Sequence, residues 1–152
     1  MQHDFKTVIV PIMGDKRDEY ALALACSIFR STDTVRQIIG LRVIEIDRSL
    51  PVDADLTGEI VKASSMLADI KETNSEMFKK YACDFTPDVK QAREAGPAIV
   101  DDAREFNADL IVLALKTKQE FGEYSLGDVA PYVMENAPCR VILDQQLDNS
   151  EE

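Results

Sequence analysis

Aspartates stand at two points in the chain where an apolar run gives way to a predicted helix. Asp15 follows the run 6–12 (KTVIVPI), and Asp128 follows the stretch 115–127, which comes directly after the run 109–114 (DLIVLA). The free N–H groups and the dipole at a helix N-terminus bind anions, so both points are candidate phosphate sites. A carboxylate at the same point satisfies those donors itself and repels a phosphate. At about 4 Å and an effective dielectric near 20, one such contact costs about 4 kcal/mol, or roughly a thousandfold in affinity.

Three roles are open for these aspartates: capping the helices, bridging a magnesium ion to a triphosphate, or turning away from the site. We expect capping. Lys116 and Lys118 argue for an anion site, because their ammonium groups could meet phosphates, whereas the nearby Glu120 favours a charged loop that faces water.

Composition excludes several classes of protein. The 152 residues carry a net charge of −11, which disfavours binding to nucleic acid or to anionic membranes. Cys26, Cys83 and Cys139 include no C-x-x-C pair, and we expect them to be small buried thiols. The single histidine, His3, cannot supply a zinc site or a hydrolase dyad on its own, so we predict no metal site and no enzyme. No apolar run is long enough to cross a membrane and no signal peptide is evident, so we predict a cytoplasmic protein without direct membrane insertion.

Apolar β-branched runs alternate with amphipathic stretches along the whole chain. The predicted strands are 6–12, 37–46, 83–93, 109–115 and 139–144. The predicted helices are 15–30, 56–81, 96–107 and 127–136. The helix 56–81 has a four-three apolar spacing interrupted by Asn74, and we expect it to pack on its own sheet, with a coiled-coil seam as the alternative.

This alternation predicts a single α/β domain with a parallel sheet covered by helices on both faces. Ligands bind such sheets beyond the carboxyl ends of the strands, where the strand order reverses. The loops 13–16 and 115–126 leave the first and fourth predicted strands at that edge, so they define one candidate site.

Four stretches resemble one known family in this order: 8–25, 94–114, 127–133 and 136–143. They are VIVPIMGDKRDEYALALA, EAGPAIVDDAREFNADLIVLA, GDVAPYV and NAPCRVIL. The chain is similar to universal stress proteins over nearly its full length. The resemblance implies a Rossmann-like five-stranded parallel sheet in the order 3-2-1-4-5, and a homodimer paired through the C-terminal strand. Many members of the family hold ATP or AMP in the crevice nominated above, and others bind no nucleotide.

The nucleotide-binding members carry a glycine, two residues, a second glycine, nine residues, and then glycine with serine or threonine. In this chain those positions fall on Ala114, Thr117, Gly127 and Asp128, so the spacing is kept and only the last glycine remains. Thr117 is β-branched and tolerates a positive φ poorly. The resemblance therefore implies a degenerate nucleotide-binding motif.

Further crevice positions come from the first two strands. The family's acidic ribose-binding residue falls on Met13, next to Pro11, and the small residue two places later falls on Asp15. Val43 matches a position whose backbone faces adenine, a contact that almost any side chain permits.

These residues predict a non-enzymatic stress-response protein that acts as a homodimer through protein partners. We expect no tightly bound cofactor, although ATP or AMP is the ligand that the family implies. The alternative is an adenine-nucleotide sensor that regulates a partner such as a membrane transporter, since the loop DRSLPVDAD resembles family members associated with transporters. Residues 1–144 form the predicted domain, and 145–152 form a predicted disordered acidic tail.

Overall fold

The computed structural model describes residues 5–28, 35–120, 123–125 and 128–147. Five strands pair in parallel, and they are β1 (Thr7–Pro11), β2 (Arg36–Glu45), β3 (Cys83–Ala92), β4 (Leu110–Glu120) and β6 (Arg140–Leu147). Their order is β3-β2-β1-β4-β6, and the short β5 (Glu123–Ser125) pairs antiparallel with the end of β4. With β6 as the fifth predicted strand, this confirms the predicted order 3-2-1-4-5.

Helices cover both faces of the sheet. One face carries α1 (Arg17–Ser27), α2 (Thr57–Thr73) and α3 (Ser75–Lys80), and the other carries α4 (Ala95–Glu105) and α5 (Val129–Asn136). Alternate residues of each central strand point to opposite faces, so the strands contribute to two apolar cores. Val8 and Val10 pack beneath α1, whereas Ile9 packs against α4 and α5. None of the helices in the described ranges is both long and apolar enough to cross a membrane.

The predicted single helix 56–81 is in fact two helices that meet at Asn74. Asn74 leaves the helical region with φ −104° and ψ 14°, and its side-chain amide donates to the Ile70 carbonyl at 2.8 Å. A side chain that bonds to the preceding turn competes with the helical backbone pattern, so the polar interruption becomes a break. Leu67 of α2 is fully buried in the core over the sheet, as expected for a helix packed on its own domain.

The last strand is longer than the predicted range 139–144. Gln145, Gln146 and Leu147 pair in register with Leu115, Lys116 and Thr117 of β4. The first three residues of the predicted tail therefore belong to the sheet, and residues 148–152 lie outside the described residues.

Gly40 of β2 is a glycine that close packing requires. The ring of Phe85, from the neighbouring strand β3, lies directly over it, and a Cβ built at Gly40 would be 2.2 Å from Phe85 Cζ. Phe85 is also fixed from the other side by Phe78, whose ring stacks on it at a centroid distance of 5.3 Å. The absence of a side chain at Gly40 leaves room for Phe85, and the stacking of Phe85 on Phe78 connects α3 to the sheet.

Replacing Gly40 with alanine should lower the free energy of unfolding by about 1–3 kcal/mol, because the new methyl group forces Phe85 out of its place. Gly58→Ala is the matched control, since a Cβ at that position of α2 meets nothing within 4 Å and alanine favours the helix by up to about 1 kcal/mol. Urea unfolding of both variants measures the difference. Equal stability of Gly40→Ala and the unchanged protein would show that Phe85 is free to move.

Candidate functional site

A crevice of about 570 Å³ opens at the carboxyl ends of β1 and β2, beside the start of α4. Among the residues predicted for the site, Pro11, Met13 and Val43 all line this crevice. Its other lining residues are Ile12, Leu41, Arg42, Ile44, Glu45, Glu59, Lys62, Ala63, Met66, Ala95, Ile99 and Val129. The walls are largely apolar, and the charged groups stand on β2 and α2.

The turn that follows β1 is closed by a carboxylate that the sequence motif does not include. Gly14 has φ +86°, which a residue with a side chain rarely adopts. Asp18, in the first turn of α1, accepts hydrogen bonds from the Met13 N–H through Oδ1 at 2.7 Å and from the Gly14 N–H through Oδ2 at 2.8 Å. Two neighbouring N–H groups of this kind form an anion-binding concavity. In this chain the anion is the side chain of Asp18.

Asp18 is only 5% exposed. Burial raises the pKa of its carboxyl, and the hydrogen bonds from Met13 and Gly14 act in the opposite direction. The nearby charge of Asp15 also raises this pKa. The hydrogen bonds from the Met13 and Gly14 N–H groups therefore stabilise the charged form of the buried Asp18 carboxylate.

Asp15 lies before the N-cap position of α1, which is Lys16, and it holds Arg17. Its carboxylate accepts the Arg17 backbone N–H at 2.9 Å and binds the Arg17 guanidinium at 2.7–3.0 Å. This pair raises the pKa of Arg17, chiefly through the side-chain hydrogen bonds. Asp15 is therefore not the N-cap residue that was expected, although it satisfies the N–H of Arg17 in the first turn. Among the described residues, no group of three or more acidic, histidine or cysteine side chains is arranged to hold a metal ion.

A third carboxylate satisfies the first N–H of α4, where that helix borders the crevice. Glu45, at the end of β2, accepts the Ala95 N–H through Oε1 at 3.2 Å. Donors at a helix start are the groups that would otherwise attract an anion. The same edge of the sheet therefore has three sets of backbone donors that bind carboxylates of the chain itself.

Two cationic side chains line the crevice, and the sequence analysis did not identify either as a site residue. Arg42 of β2 donates from Nη1 to the Ile12 carbonyl at 2.9 Å, which fixes its guanidinium at the end of β1. Lys62 of α2 stands on the opposite wall and is exposed. Glu59, one helical turn before Lys62, offsets part of this positive charge. The apolar patterns around these residues gave no sign that both would face one cavity.

The structure corrects the predicted loop 115–126. β4 continues to Glu120, and Lys118–Glu120 pair with Glu123–Ser125 as a hairpin. The hairpin and the parallel pairing with β6 use part of the backbone hydrogen-bonding groups that a phosphate-binding loop would leave open. A strand therefore stands where the sequence predicted the first part of a phosphate loop.

Two of the motif positions, Ala114 and Asp128, do not line the described crevice. Ala114 is 1% exposed in the core beneath α1, and Thr117 lies in β4 opposite Leu147. Asp128 is an exposed N-cap residue of α5 whose side chain makes no capping hydrogen bond, so the capping predicted for it is not present. Gly127 lies outside the described residues.

A second cavity of about 700 Å³ lies next to the crevice, between α1 and α2. Asp15, Asp18 and Glu19 line it from the α1 side, and Met66 and Lys62 line both cavities. The Met66 side chain also covers Gly14, since a Cβ built there would lie 3.5 Å from Met66 Cε. The Met66 side chain thus lies between the two cavities.

Comparison with known proteins gives one family. The sequence profile of the universal stress protein family matches residues 4–144. A search of curated protein sequences finds no match.

Solved structures share the fold. A universal stress protein from Archaeoglobus fulgidus superposes with a TM-score of 0.67 at 19% identity, covering 91% of this chain and 98% of that chain. A family protein from Arabidopsis thaliana, solved with AMP bound, gives 0.59 at 16% identity, covering 96% of this chain and 94% of that chain. A universal stress protein solved in complex with cAMP gives 0.61 at 19% identity, covering 94% of this chain and 98% of that chain.

Replacing Asp18 with alanine should lower the free energy of unfolding by about 1–3 kcal/mol, because two backbone donors in a tight turn lose their acceptor. Asp18→Asn, which keeps one acceptor oxygen, should lie between alanine and the unchanged protein. Urea unfolding near neutral pH measures both.

The control for these variants is Asp69→Ala, which removes an exposed carboxylate from α2 at the rim of the neighbouring cavity. We expect its effect to stay within about 0.5 kcal/mol. If Asp18→Ala were no less stable than Asp69→Ala, Asp18 would not hold the turn.

Proposed function

Because this chain belongs to the universal stress protein family, we propose that it is a non-enzymatic stress-response protein that acts through protein partners and whose nucleotide site no longer binds phosphate tightly. The observation that carries this proposal is the position of Asp18. Its carboxylate occupies the Met13 and Gly14 N–H groups at the carboxyl end of β1. A phosphate would have to displace a charged group that is tied to α1 and almost fully buried.

The other anion-binding features of this edge support the same proposal. Asp15 is engaged with Arg17, and Glu45 holds the first N–H of α4. Each carboxylate also repels an approaching phosphate, at a cost of about 4 kcal/mol for a contact near 4 Å at an effective dielectric of 20. The continuation of β4 as a paired strand adds to this, because pairing with β5 and β6 engages part of its backbone donors.

The edge of the sheet at β6 offers a surface for partner binding. In the described part of the chain β6 pairs with β4 along one side, and a strand edge is a template for pairing with another chain. We propose that two copies associate through β6, as the family resemblance implies. The homodimer would then present the crevices and the α1–α2 surfaces to a protein partner.

An adenine-nucleotide sensor is the second candidate function. The crevice is largely apolar and is large enough for a purine, and Arg42 and Lys62 supply positive charge at its walls. Two proteins of similar fold were solved with AMP and with cAMP, ligands that carry fewer charges than ATP. In this alternative the phosphate would be met by Arg42 and Lys62, and occupancy would change contact with a partner such as a transporter.

Calorimetric titration of the purified, nucleotide-free protein with adenosine, AMP, cAMP and ATP, in the presence of magnesium, separates the two functions. The proposal predicts no measurable binding of ATP at millimolar concentration. Asp128→Ser should not restore ATP binding, because Asp18 still occupies the donors at Met13 and Gly14. Asp101→Ser, which removes another exposed carboxylate from α4 away from the crevice, is the control for the change in net charge.

Micromolar binding of AMP or cAMP by the unchanged protein would contradict the proposal and support the sensor. The sensor further predicts that Arg42→Gln and Lys62→Gln weaken AMP more than adenosine. Asp128→Ser, like Asp101→Ser, should leave AMP binding unchanged, because neither residue lines the crevice.

A further inference from the structure

The loop that joins β2 to α2 presents three consecutive apolar residues to water. Leu50 is 41% exposed and Val52 is 59% exposed, and Pro51 between them is exposed as well. Apolar side chains that stand singly on a surface are common, but these three are neighbours at the tip of one loop. They contribute little burial to the fold, so the fold does not explain why they are there.

Hydrogen bonds shape the tip of this loop. The Leu50 N–H donates to the Asp47 carbonyl at 3.0 Å, and the Ala54 N–H donates to the Pro51 carbonyl at 3.0 Å. The carboxylate of Asp47 also accepts the Ser49 N–H at 2.9 Å. Two successive turns therefore place the apolar side chains, in a segment that would otherwise have many conformations.

Side chains at the end of β3 tie both ends of the loop to the sheet. Arg93, which follows β3, donates from Nη1 to the Asp47 carbonyl at 2.6 Å. Gln91, within β3, donates from Nε2 to the Ala54 carbonyl at 3.2 Å. The tip is thus preorganised, and a partner that binds it would not have to order it first.

The charges of the loop are distributed unevenly around the tip. Arg48 is the neighbour of Asp47 in the sequence, and the charge of Arg93 also acts on Asp47. Asp53 and Asp55 follow the tip, and both are exposed. Hydrogen bonds from the residue two positions later lower the pKa of Asp47 and of Asp55, so both stay ionised at neutral pH. A surface that complements the α2 side of this tip is therefore basic.

We propose that Leu50, Pro51 and Val52 insert into an apolar pocket of a partner protein whose rim carries lysine or arginine facing Asp53 and Asp55. Burial of the apolar tip supplies the affinity, and the charges set the orientation. An anionic lipid surface is disfavoured as the partner, because the two aspartates repel it. The inference rests on the proposed function, since it needs a protein partner, and it names the surface that the partner binds.

The test places the photoreactive amino acid benzoylphenylalanine at position 52 of the full chain, in the cells that make the protein. Irradiation joins it to the molecule that the tip contacts, and mass spectrometry identifies the joined protein and peptide. We expect an adduct with a different protein, joined at an apolar segment flanked by lysine or arginine. The control carries the same group at position 61, because Val61 on α2 is 58% exposed, and it should not give this adduct.

Titration of the identified partner with purified variants then measures the contribution of the tip. Leu50→Ser should weaken binding about tenfold or more, because it removes a large apolar side chain from the pocket. Arg93→Ala should also weaken binding, although the tip is unchanged, because the loop loses a tie to the sheet. Arg104→Ala removes another arginine that donates to a backbone carbonyl, on α4, and should leave the affinity unchanged.

Four outcomes overturn the inference: no adduct from position 52, an adduct of the chain with itself, attachment to lipid, or the same adduct from positions 52 and 61. A protein adduct from position 61 alone would leave the proposed function standing and place the partner on the α1–α2 surface. No protein adduct from either position would count against both the inference and the proposed function. Both labelled positions are exposed, so each labelled protein should fold.

Discussion

The carboxylate of Asp18 holds the turn on which the crevice depends. This turn leaves β1, the central strand, whose neighbours β2 and β4 continue the sheet in opposite directions. A chain that bends there through a glycine at φ +86° presents two adjacent N–H groups. Some acceptor must satisfy them, because unpaired backbone donors in a partly buried turn are costly. In this protein the acceptor belongs to α1, and the strand, the turn and the helix become one unit.

Several carboxylates of this acidic chain are bound to donors of the chain itself. Asp15 is bound to Arg17 and Glu45 holds the start of α4. Between β3 and α4, burial and the neighbouring Asp88 carboxyl raise the pKa of Asp102 to about 8, which favours the protonated form of this carboxyl. Asp15, Asp18 and Glu45 thus bind donors of the chain itself at the edge of the sheet where the crevice opens.

Much of the fold could be predicted from the sequence, because β-branched apolar runs and amphipathic stretches alternate clearly, and the family resemblance supplied the strand order. The role of Asp18 could not, since an acidic residue in a first helical turn is common and nothing in its spacing shows that it reaches back to Met13. The polar residues after Leu115 read as a loop, yet pairing with β5 and β6 keeps them in a strand. Only tertiary structure brings Arg42 and Lys62 to one cavity.

The backbone amide resonances of Met13 and Gly14 report whether Asp18 closes the site. These two N–H groups either donate to the Asp18 carboxylate or are available to a ligand. The measurement is a nitrogen–proton correlation spectrum of the labelled protein, recorded over a pH titration and again with millimolar magnesium ATP at neutral pH. If Asp18 closes the site, both amides shift together as its carboxylate takes up a proton in acid, and ATP leaves them unchanged. Amides of Met13 and Gly14 that shift with ATP at neutral pH, or that ignore the protonation of Asp18, would contradict this role.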